Sequence, residues 1–202
     1  KRVVSWSQVL PSEASAAPLL QAERIIVPCN DNVLYAVKMS EPHDVAWTFT
    51  APGRLSSTPS LHGSSLVVGV RDHGVLAISA DRGRRLWERL VPGGVTGEVT
   101  SSGTLVYVPG LDGKMYAIDP ADPARERWSL STGGAIWGGP VLAGGVLLFG
   151  ADDQNFYAVD GERGTVLWKL RVKGKIRVRP VVSGSTVVFG GQDKLLYSVE
   201  LD

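Results

Sequence analysis

Five tryptophans recur along the chain at an almost constant spacing. Trp6, Trp47, Trp87, Trp128 and Trp168 are separated by 41, 40, 41 and 40 residues. A second series keeps the same phase, and each of its members is followed four residues later by Tyr or Leu; it consists of Asp31, Asp72, Asp112, Asp153 and Asp193. Landmarks that stay in register over five copies indicate internal repeats, and periods of this length are typical of solenoids and propellers.

Each copy of the repeat contains four short apolar runs separated by turn residues. In the fourth copy the runs are 140–142, 146–150, 156–160 and 166–170. The 24 glycines and 12 prolines of the 202-residue chain agree with frequent turns. Short runs bounded by such residues predict antiparallel strands, and four per repeat predict a propeller blade. We therefore predict an all-β fold, a five-bladed β-propeller of four-stranded antiparallel blades.

The two ends of the chain suggest how the ring would close. The last copy ends after its third strand, whereas residues 1–9 carry a fourth-strand pattern with Trp6. Pairing of this segment with the last blade would remove the free edges of the ring. We predict a single domain over 1–202, with 1–9 as the closing strand and blades of approximately 10–50, 51–90, 91–130, 131–170 and 171–202. The alternative is that the copies form part of a larger propeller.

The segment from Ala158 to Trp168 resembles the tryptophan-docking repeat, Ala-x-Asp-x-x-x-Gly-x-x-x-Trp, of pyrroloquinoline-quinone-like β-propellers. Residues 77–87 follow the same spacing with Ser79 in place of the Asp, and residues 117–128 keep Asp119 but are one residue longer and lack the Gly. The resemblance covers the whole chain. It implies that the five repeat tryptophans are structural, each packing across the face of the next blade. The Asp at each second turn is expected to cap that turn.

The resemblance also implies which residues an enzyme of this family would need. The dehydrogenases hold the quinone with a calcium ion, beside a catalytic Asp and a vicinal pair of cysteines. This chain has a single cysteine, Cys29, and we find no matching set of Glu, Asn and Asp. We therefore expect no catalytic residues, no metal site and no pyrroloquinoline quinone with calcium. A quinone-dependent oxidoreductase remains the alternative.

Positions that differ between copies are where a repeat protein can place its function. Alternate residues of the segment before each innermost strand are predicted to share one face, and in propellers this segment borders the central channel. Trp137 is the one Trp of six outside the repeat, and an exposed indole beside arginines suits a protein partner or a small anionic ligand. Alternatively, Trp137 plugs the channel mouth and the arginines are only solvated. The candidate residues are Arg54, Glu98, Trp137, Lys175, Arg177 and Arg179.

Basic residues alternate along one part of the chain. No acidic residue occurs in 163–192, which contains seven basic ones, so the rest of this protein of net charge +1 carries −6. The row could meet phosphate, an acidic partner or an anionic membrane surface, or it could be a solvated strand. We expect no nucleic-acid binding, because aromatic residues are not interleaved with the basic ones. The alternating members are Lys169, Arg171, Lys173, Lys175, Arg177 and Arg179.

Taken together, these features predict a non-enzymatic binding module that acts as a monomeric domain. The resemblance implies a ligand-sensing or protein-interaction domain of a larger bacterial protein, such as the sensor region of a serine/threonine protein kinase. The alternative setting is a scaffold of outer-membrane protein assembly. The resemblance favours the extracytoplasmic side of a bacterial envelope, while the sequence itself leaves the compartment open. The longest unbroken apolar run has five residues, 33–37, so we expect no membrane span.

Overall fold

A computed structural model describes residues 4–201, and within that range the regular structure consists of nineteen strands in five antiparallel sheets. We number the sheets as blades 1 to 5. The strands of blades 1 and 2 are β1 (Leu19–Gln21), β2 (Arg24–Pro28), β3 (Val33–Lys38), β4 (Val45–Thr50), β5 (Ser60–His62), β6 (Ser65–Val70), β7 (Gly74–Ser79) and β8 (Arg85–Leu90). Those of blade 3 are β9 (Thr100–Ser101), β10 (Val106–Pro109), β11 (Lys114–Ile118) and β12 (Glu126–Ser131). Those of blades 4 and 5 are β13 (Val141–Ala143), β14 (Val146–Gly150), β15 (Asn155–Asp160), β16 (Val166–Arg171), β17 (Val181–Ser183), β18 (Thr186–Gly190) and β19 (Leu196–Glu200).

Within every blade the strands pair in chain order, so each blade is a meander of hairpins. Blades 1 to 4 share one irregularity: the register shifts after the Ala that lies opposite the repeat Trp. In blade 4 that Ala is Ala158, which pairs with Trp168. The recurrence of the same bulge at the same place shows that the sequence repeat is also a structural repeat.

The hydrophobic core is divided into layers between successive blades. Ile26 and Leu34 of blade 1 pack with Leu66 and Leu76 of blade 2, and similar clusters join blades 2 and 3, 3 and 4, and 4 and 5. A fifth, smaller cluster covers the other face of blade 1. Both faces of blades 2, 3 and 4 are therefore buried, which explains why their middle strands read as continuous apolar runs.

The repeat tryptophans connect each blade to the next one. The indole Nε1 of Trp47 donates a hydrogen bond to the Ala80 carbonyl at 3.2 Å, and that of Trp128 donates to the Gly161 carbonyl at 2.8 Å. The Trp128 ring lies against Gly164, whose φ is +71° and where a Cβ would lie 2.5 Å from the indole. Trp47 and Trp128 thus contact the following blade, which is the packing that the resemblance implies for the repeat tryptophans.

The Asp of the second turn caps its hairpin in four blades, as predicted. In blade 4, Asp153 accepts hydrogen bonds from the Asn155 amide at 3.0 Å and from the Tyr157 hydroxyl at 2.5 Å. The same side-chain bond to Asp31 raises the pKa of the Tyr35 hydroxyl to about 12. Blade 2 has no Tyr at this place, and there Asp72 itself adopts a left-handed conformation with φ of +61°.

The predicted ring closure is wrong for this structure. Residues 4–9 form no strand, and blade 5 contains only β17, β18 and β19; residues 1–3 of the predicted closing strand lie outside the described residues. Trp6 instead packs on blade 1, together with Leu10, without strand pairing to β19. The face of blade 5 that points away from blade 4 exposes Val181 and Leu196 at 67% and 77%. Tryptophan docking therefore does not require the closing strand.

Candidate functional site

The candidate residues lie on four of the five equivalent segments that precede the innermost strands. We call these the approach segments: 13–17, 54–58, 94–98, 135–139 and 175–179. In every blade an amide just after the second strand, that of the residue directly before the repeat Asp, donates to the carbonyl of the first approach residue. The five bonds have ordinary N–H···O lengths and run from Asn30 to Glu13 (2.9 Å), Arg71 to Arg54 (3.0 Å), Leu111 to Gly94 (3.1 Å), Asp152 to Ala135 (2.9 Å) and Gln192 to Lys175 (2.9 Å).

Buried and more exposed side chains alternate along the approach segments of blades 2 to 4 and along 175–177 of blade 5. In blade 5, Ile176 is fully buried, whereas Lys175 and Arg177 on either side of it are exposed and partly exposed. In blade 2, Leu55 and Ser57 are buried and Arg54 is exposed. The odd-numbered face of blade 5 is thus free to carry groups that the packing of the blades does not need.

Two neighbouring approach segments bring an aromatic and a cationic side chain together. Arg177 donates to Asp152 through Nε to Oδ1 and through Nη2 to Oδ2, both at 2.7 Å, a bidentate ion pair. Its guanidinium Cζ lies 4.9 Å from the ring centroid of Trp137. Trp137 Nε1 and Lys175 Nζ each lie 3.3 Å from Asp152 Oδ2. We call Trp137, Asp152, Lys175 and Arg177 the mouth cluster.

Local backbone geometry explains how the mouth cluster forms. Asp152 lies in the turn between β14 and β15, and its amide is tied to Ala135 of its own blade. The next segment can approach closely because Gly138 has no side chain: a Cβ there would lie 2.5 Å from the Val178 carbonyl oxygen. Trp137 and Arg177, which belong to successive blades, are therefore held side by side.

The electrostatics of the mouth cluster favour a fixed ion pair. The hydrogen bonds from Arg177 hold the pKa of the Asp152 carboxyl below its usual range; burial opposes this shift and Lys175 adds to it. The same pair raises the pKa of Arg177. Asp152 is therefore a carboxylate at neutral pH, with a pKa too low for a general base working there. The cluster keeps one net positive charge, that of Lys175.

The remaining candidate residues lie apart from the mouth cluster. Arg179 forms an ion pair with Glu98 of blade 3, passing the intervening Gly139, where a Cβ would lie 2.7 Å from the Glu98 carbonyl oxygen. A cavity of about 330 Å³ adjoins this pair and is lined in part by Leu61 and other residues of the innermost strands. Arg54 is exposed and forms no salt bridge with any residue in 4–201. The structure thus joins three of the six candidates in the mouth cluster and two others in a separate ion pair.

The other blades have small hydroxyl side chains where blades 4 and 5 have Trp137 and Arg177. These are Ser15, Ser56 and Thr96. Their hydroxyl oxygens are buried and have no hydrogen-bond partner among the described residues. At this position of the approach segments, the large aromatic and cationic side chains are therefore confined to two adjacent blades, 4 and 5.

Asp152 is the member of the mouth cluster that the sequence analysis missed. It directly precedes the repeat Asp153 and is not itself part of the repeat pattern. The signal was present, because the position differs in every copy: Asn30, Arg71, Leu111, Asp152 and Gln192. In the part of the chain that the structure describes, no group of three or more His, Cys, Asp or Glu side chains is arranged to hold a metal ion, and no helix is long and apolar enough to cross a membrane.

Comparisons with known proteins agree with this architecture. A family model described as outer membrane protein assembly factor BamB matches residues 3–94, 40–131 and 73–202. BamB from Moraxella catarrhalis is similar in structure, with a TM-score of 0.81 and 19% identity over 95% of this chain and 60% of that chain. The computationally designed Ika8 protein has a TM-score of 0.77 and 14% identity over 91% and 57%. The chain spans about three fifths of the length of these solved structures.

At these identities the structural likeness concerns the fold alone. No curated protein sequence matches the chain significantly. The family matches together cover nearly every residue, and they agree with the tryptophan-docking repeats and the stack of antiparallel blades. The chain belongs to the BamB-like family of proteins built from pyrroloquinoline-quinone-like β-propeller repeats.

Proposed function

We propose that this chain is a non-enzymatic binding module that contacts a protein partner through the mouth cluster. The observation that carries the proposal is the geometry of Arg177, which is held by two hydrogen bonds to Asp152 and stacked on Trp137. An aromatic ring and a guanidinium fixed in this way lose little side-chain entropy on binding. Trp and Arg are also the residue types that dominate binding energy at protein interfaces.

The state of charge favours a protein over a small anion at this place. Asp152 already neutralises Arg177, so a small anion would have to compete with an intramolecular carboxylate. A protein partner needs no such exchange, because it can cover the flat indole and the guanidinium plane together. The small anionic ligand predicted from the sequence is therefore the less supported alternative.

The proposal includes no catalysis and no quinone cofactor. The vicinal cysteines of the family's dehydrogenases have no counterpart around Cys29, which is fully buried. The one acid in the mouth cluster is Asp152, and its lowered pKa makes it a poor proton acceptor at neutral pH.

The wider setting follows from the family. The matching model is described as an outer membrane protein assembly factor, which supports a scaffold role in outer-membrane protein assembly and an extracytoplasmic location. The sensor region of a serine/threonine kinase, the other setting that the sequence suggested, has no support from the comparisons. We therefore propose the scaffold role.

The test compares capture of a partner by four forms of the chain. Wild type, Trp137→Ala, Arg177→Ala and the control Arg54→Ala are immobilised, and envelope extract is passed over each. We expect wild type and Arg54→Ala to retain the same protein, and each mouth-cluster variant to weaken its affinity by about 30-fold or more. Thermal melts check that every variant is folded. Retention of the partner at full affinity by both mouth-cluster variants would sink the proposal.

A further inference from the structure

The outer edge of blade 4 carries a second charged feature, distinct from the mouth cluster. Lys169 and Arg171 lie on β16, and Lys173 follows in the connection to blade 5. All three are exposed, while Val172 between them is buried. We call Lys169, Arg171 and Lys173 the edge row. We propose that the edge row docks an extended, acidic protein segment along β16.

The first support is that the edge row is not neutralised within the chain. None of its three residues forms a salt bridge with any residue of 4–201; Arg171 donates only to the side-chain amide oxygen of Gln154, at 3.2 Å. The other half of the alternating basic series is paired, because Lys175 and Arg177 contact Asp152, and Arg179 contacts Glu98. Among the described residues, three of the six alternating basic side chains are thus paired with acidic ones, and the three of the edge row are not.

The second support is that the fold does not require these charges. The repeat places other residue types at the three equivalent positions of the earlier blades. In the order of the edge row, these are Thr48, Thr50 and Pro52 in blade 1, Glu88, Leu90 and Pro92 in blade 2, and Ser129, Ser131 and Gly133 in blade 3. Since the same strand forms with neutral or acidic side chains, the basic ones are free to serve a partner.

The third support is the geometry of the strand. β16 pairs only with β15 among the described strands, so its other edge leaves backbone groups available to an added strand. Alternate residues of an extended chain are about 6.6 to 7 Å apart. The edge row therefore presents a charge at every second residue, the period at which an extended partner with alternate Asp or Glu presents its carboxylates.

The overall charge argues against a broad anionic surface as the partner. Outside residues 163–192 the chain carries −6, and a membrane or a long polyanion that met the edge row would also meet part of that acidic remainder. A narrow segment one strand wide avoids this repulsion. This inference rests on residues outside the mouth cluster, so it can fail while the proposed function holds.

The test uses a fluorescein-labelled peptide of about eight residues with Glu and Thr in alternation, and a second peptide of the same composition with its Glu residues contiguous. Anisotropy is measured with wild type, with a triple variant of the edge row (Lys169→Gln, Arg171→Gln, Lys173→Gln), and with a matched triple of exposed arginines that form no salt bridge in 4–201 (Arg84→Gln, Arg125→Gln, Arg127→Gln).

We expect wild type and the matched triple to bind the alternating peptide alike, and the edge-row triple to bind it about tenfold more weakly. The contiguous peptide should also bind wild type more weakly. Equal loss in both triples, equal binding of both peptides, or no saturation below about 1 mM would overturn the proposal. Phosphatidylserine vesicles form the last arm: if they bind wild type but not the edge-row triple, and the peptide does not bind, the partner is a membrane and the proposal is wrong.

Discussion

Trp6 stacks on His43, with ring centroids 4.5 Å apart and planes inclined by 18°. His43 has φ of +57° and lies in the turn between β3 and β4. In blades 2 and 4 the corresponding turn residues are Gly83 and Gly164, and the preceding repeat tryptophans pack on them. Trp6 therefore makes the docking contact of the family from a segment that forms no strand, and His43 supplies an aromatic partner in place of a glycine.

The Trp6 and His43 rings should be energetically coupled. Trp6→Ala, His43→Ala and the double variant form a cycle, and we expect a coupling energy of about 0.5 to 1.5 kcal/mol in urea unfolding. The control cycle combines Trp6→Ala with His73→Ala. His73 belongs to blade 2, where it contacts Glu88 of the same blade. Strictly additive effects in the Trp6 and His43 cycle would show that the stack does not stabilise the fold.

Adding one methyl group at a docking turn should destabilise the protein more than at an open turn. Gly164 and Gly144 both have positive φ, but a Cβ at Gly164 would meet the Trp128 ring, whereas a Cβ at Gly144 has nothing within 4 Å. We expect Gly144→Ala to cost about 1 kcal/mol for its backbone conformation alone. Gly164→Ala should cost about 2 kcal/mol more because the indole must move. Chemical denaturation measures both, and equal losses would contradict the docking geometry.

The ion pair of the mouth cluster should make stability depend on pH in the acid range. Because Arg177 lowers the folded-state pKa of Asp152, the pair stabilises the protein above the ordinary Asp value of about 4 and loses this effect as the pH falls through the lowered folded value. Asp152→Asn should therefore cost about 1 to 3 kcal/mol at neutral pH and progressively less on acidification. Thermal melts between about pH 3 and 7 check this. The control is Asp122→Asn, because Asp122 is exposed and forms no salt bridge in 4–201. If Asp152→Asn lowers the stability by the same amount at every pH in this range, the ion pair is not the source of the pH dependence.

Trp137 and Trp168 should differ in what they contribute to stability. Trp168 packs with Phe156 between blades 4 and 5, at a centroid distance of 6.1 Å. Trp168→Ala should cost about 3 to 5 kcal/mol, whereas Trp137→Ala, at a partly exposed ring, should cost about 1 kcal/mol. Urea unfolding of the two variants checks the contrast. Equal losses would favour the alternative in which Trp137 plugs the channel mouth.

Strand positions could be predicted closely because they depend on local pattern. The four runs predicted in the fourth copy, 140–142, 146–150, 156–160 and 166–170, match β13 to β16 within one residue at each end. The number of sheets follows from the same periodicity, whereas the role of the repeat tryptophans is what the family resemblance implies. Antiparallel hairpins join neighbours in sequence, so the alternation of apolar runs and turns carries most of the information that they need.

The features that were predicted wrongly or left open from the sequence all depend on residues that are distant in the chain. Ring closure requires the first residues to pair with β19. The sequence repeat shows only that Trp6 has the same spacing as the other repeat tryptophans. The partner of Arg177 is Asp152, 25 residues earlier and in another blade, and that of Arg179 is Glu98, 81 residues earlier. The sequence by itself determined the blades, their strands and the alternation of basic residues. The tertiary structure decided which of those charges are neutralised and which remain free, because only the packing of blade on blade brings the opposite charges within hydrogen-bonding distance.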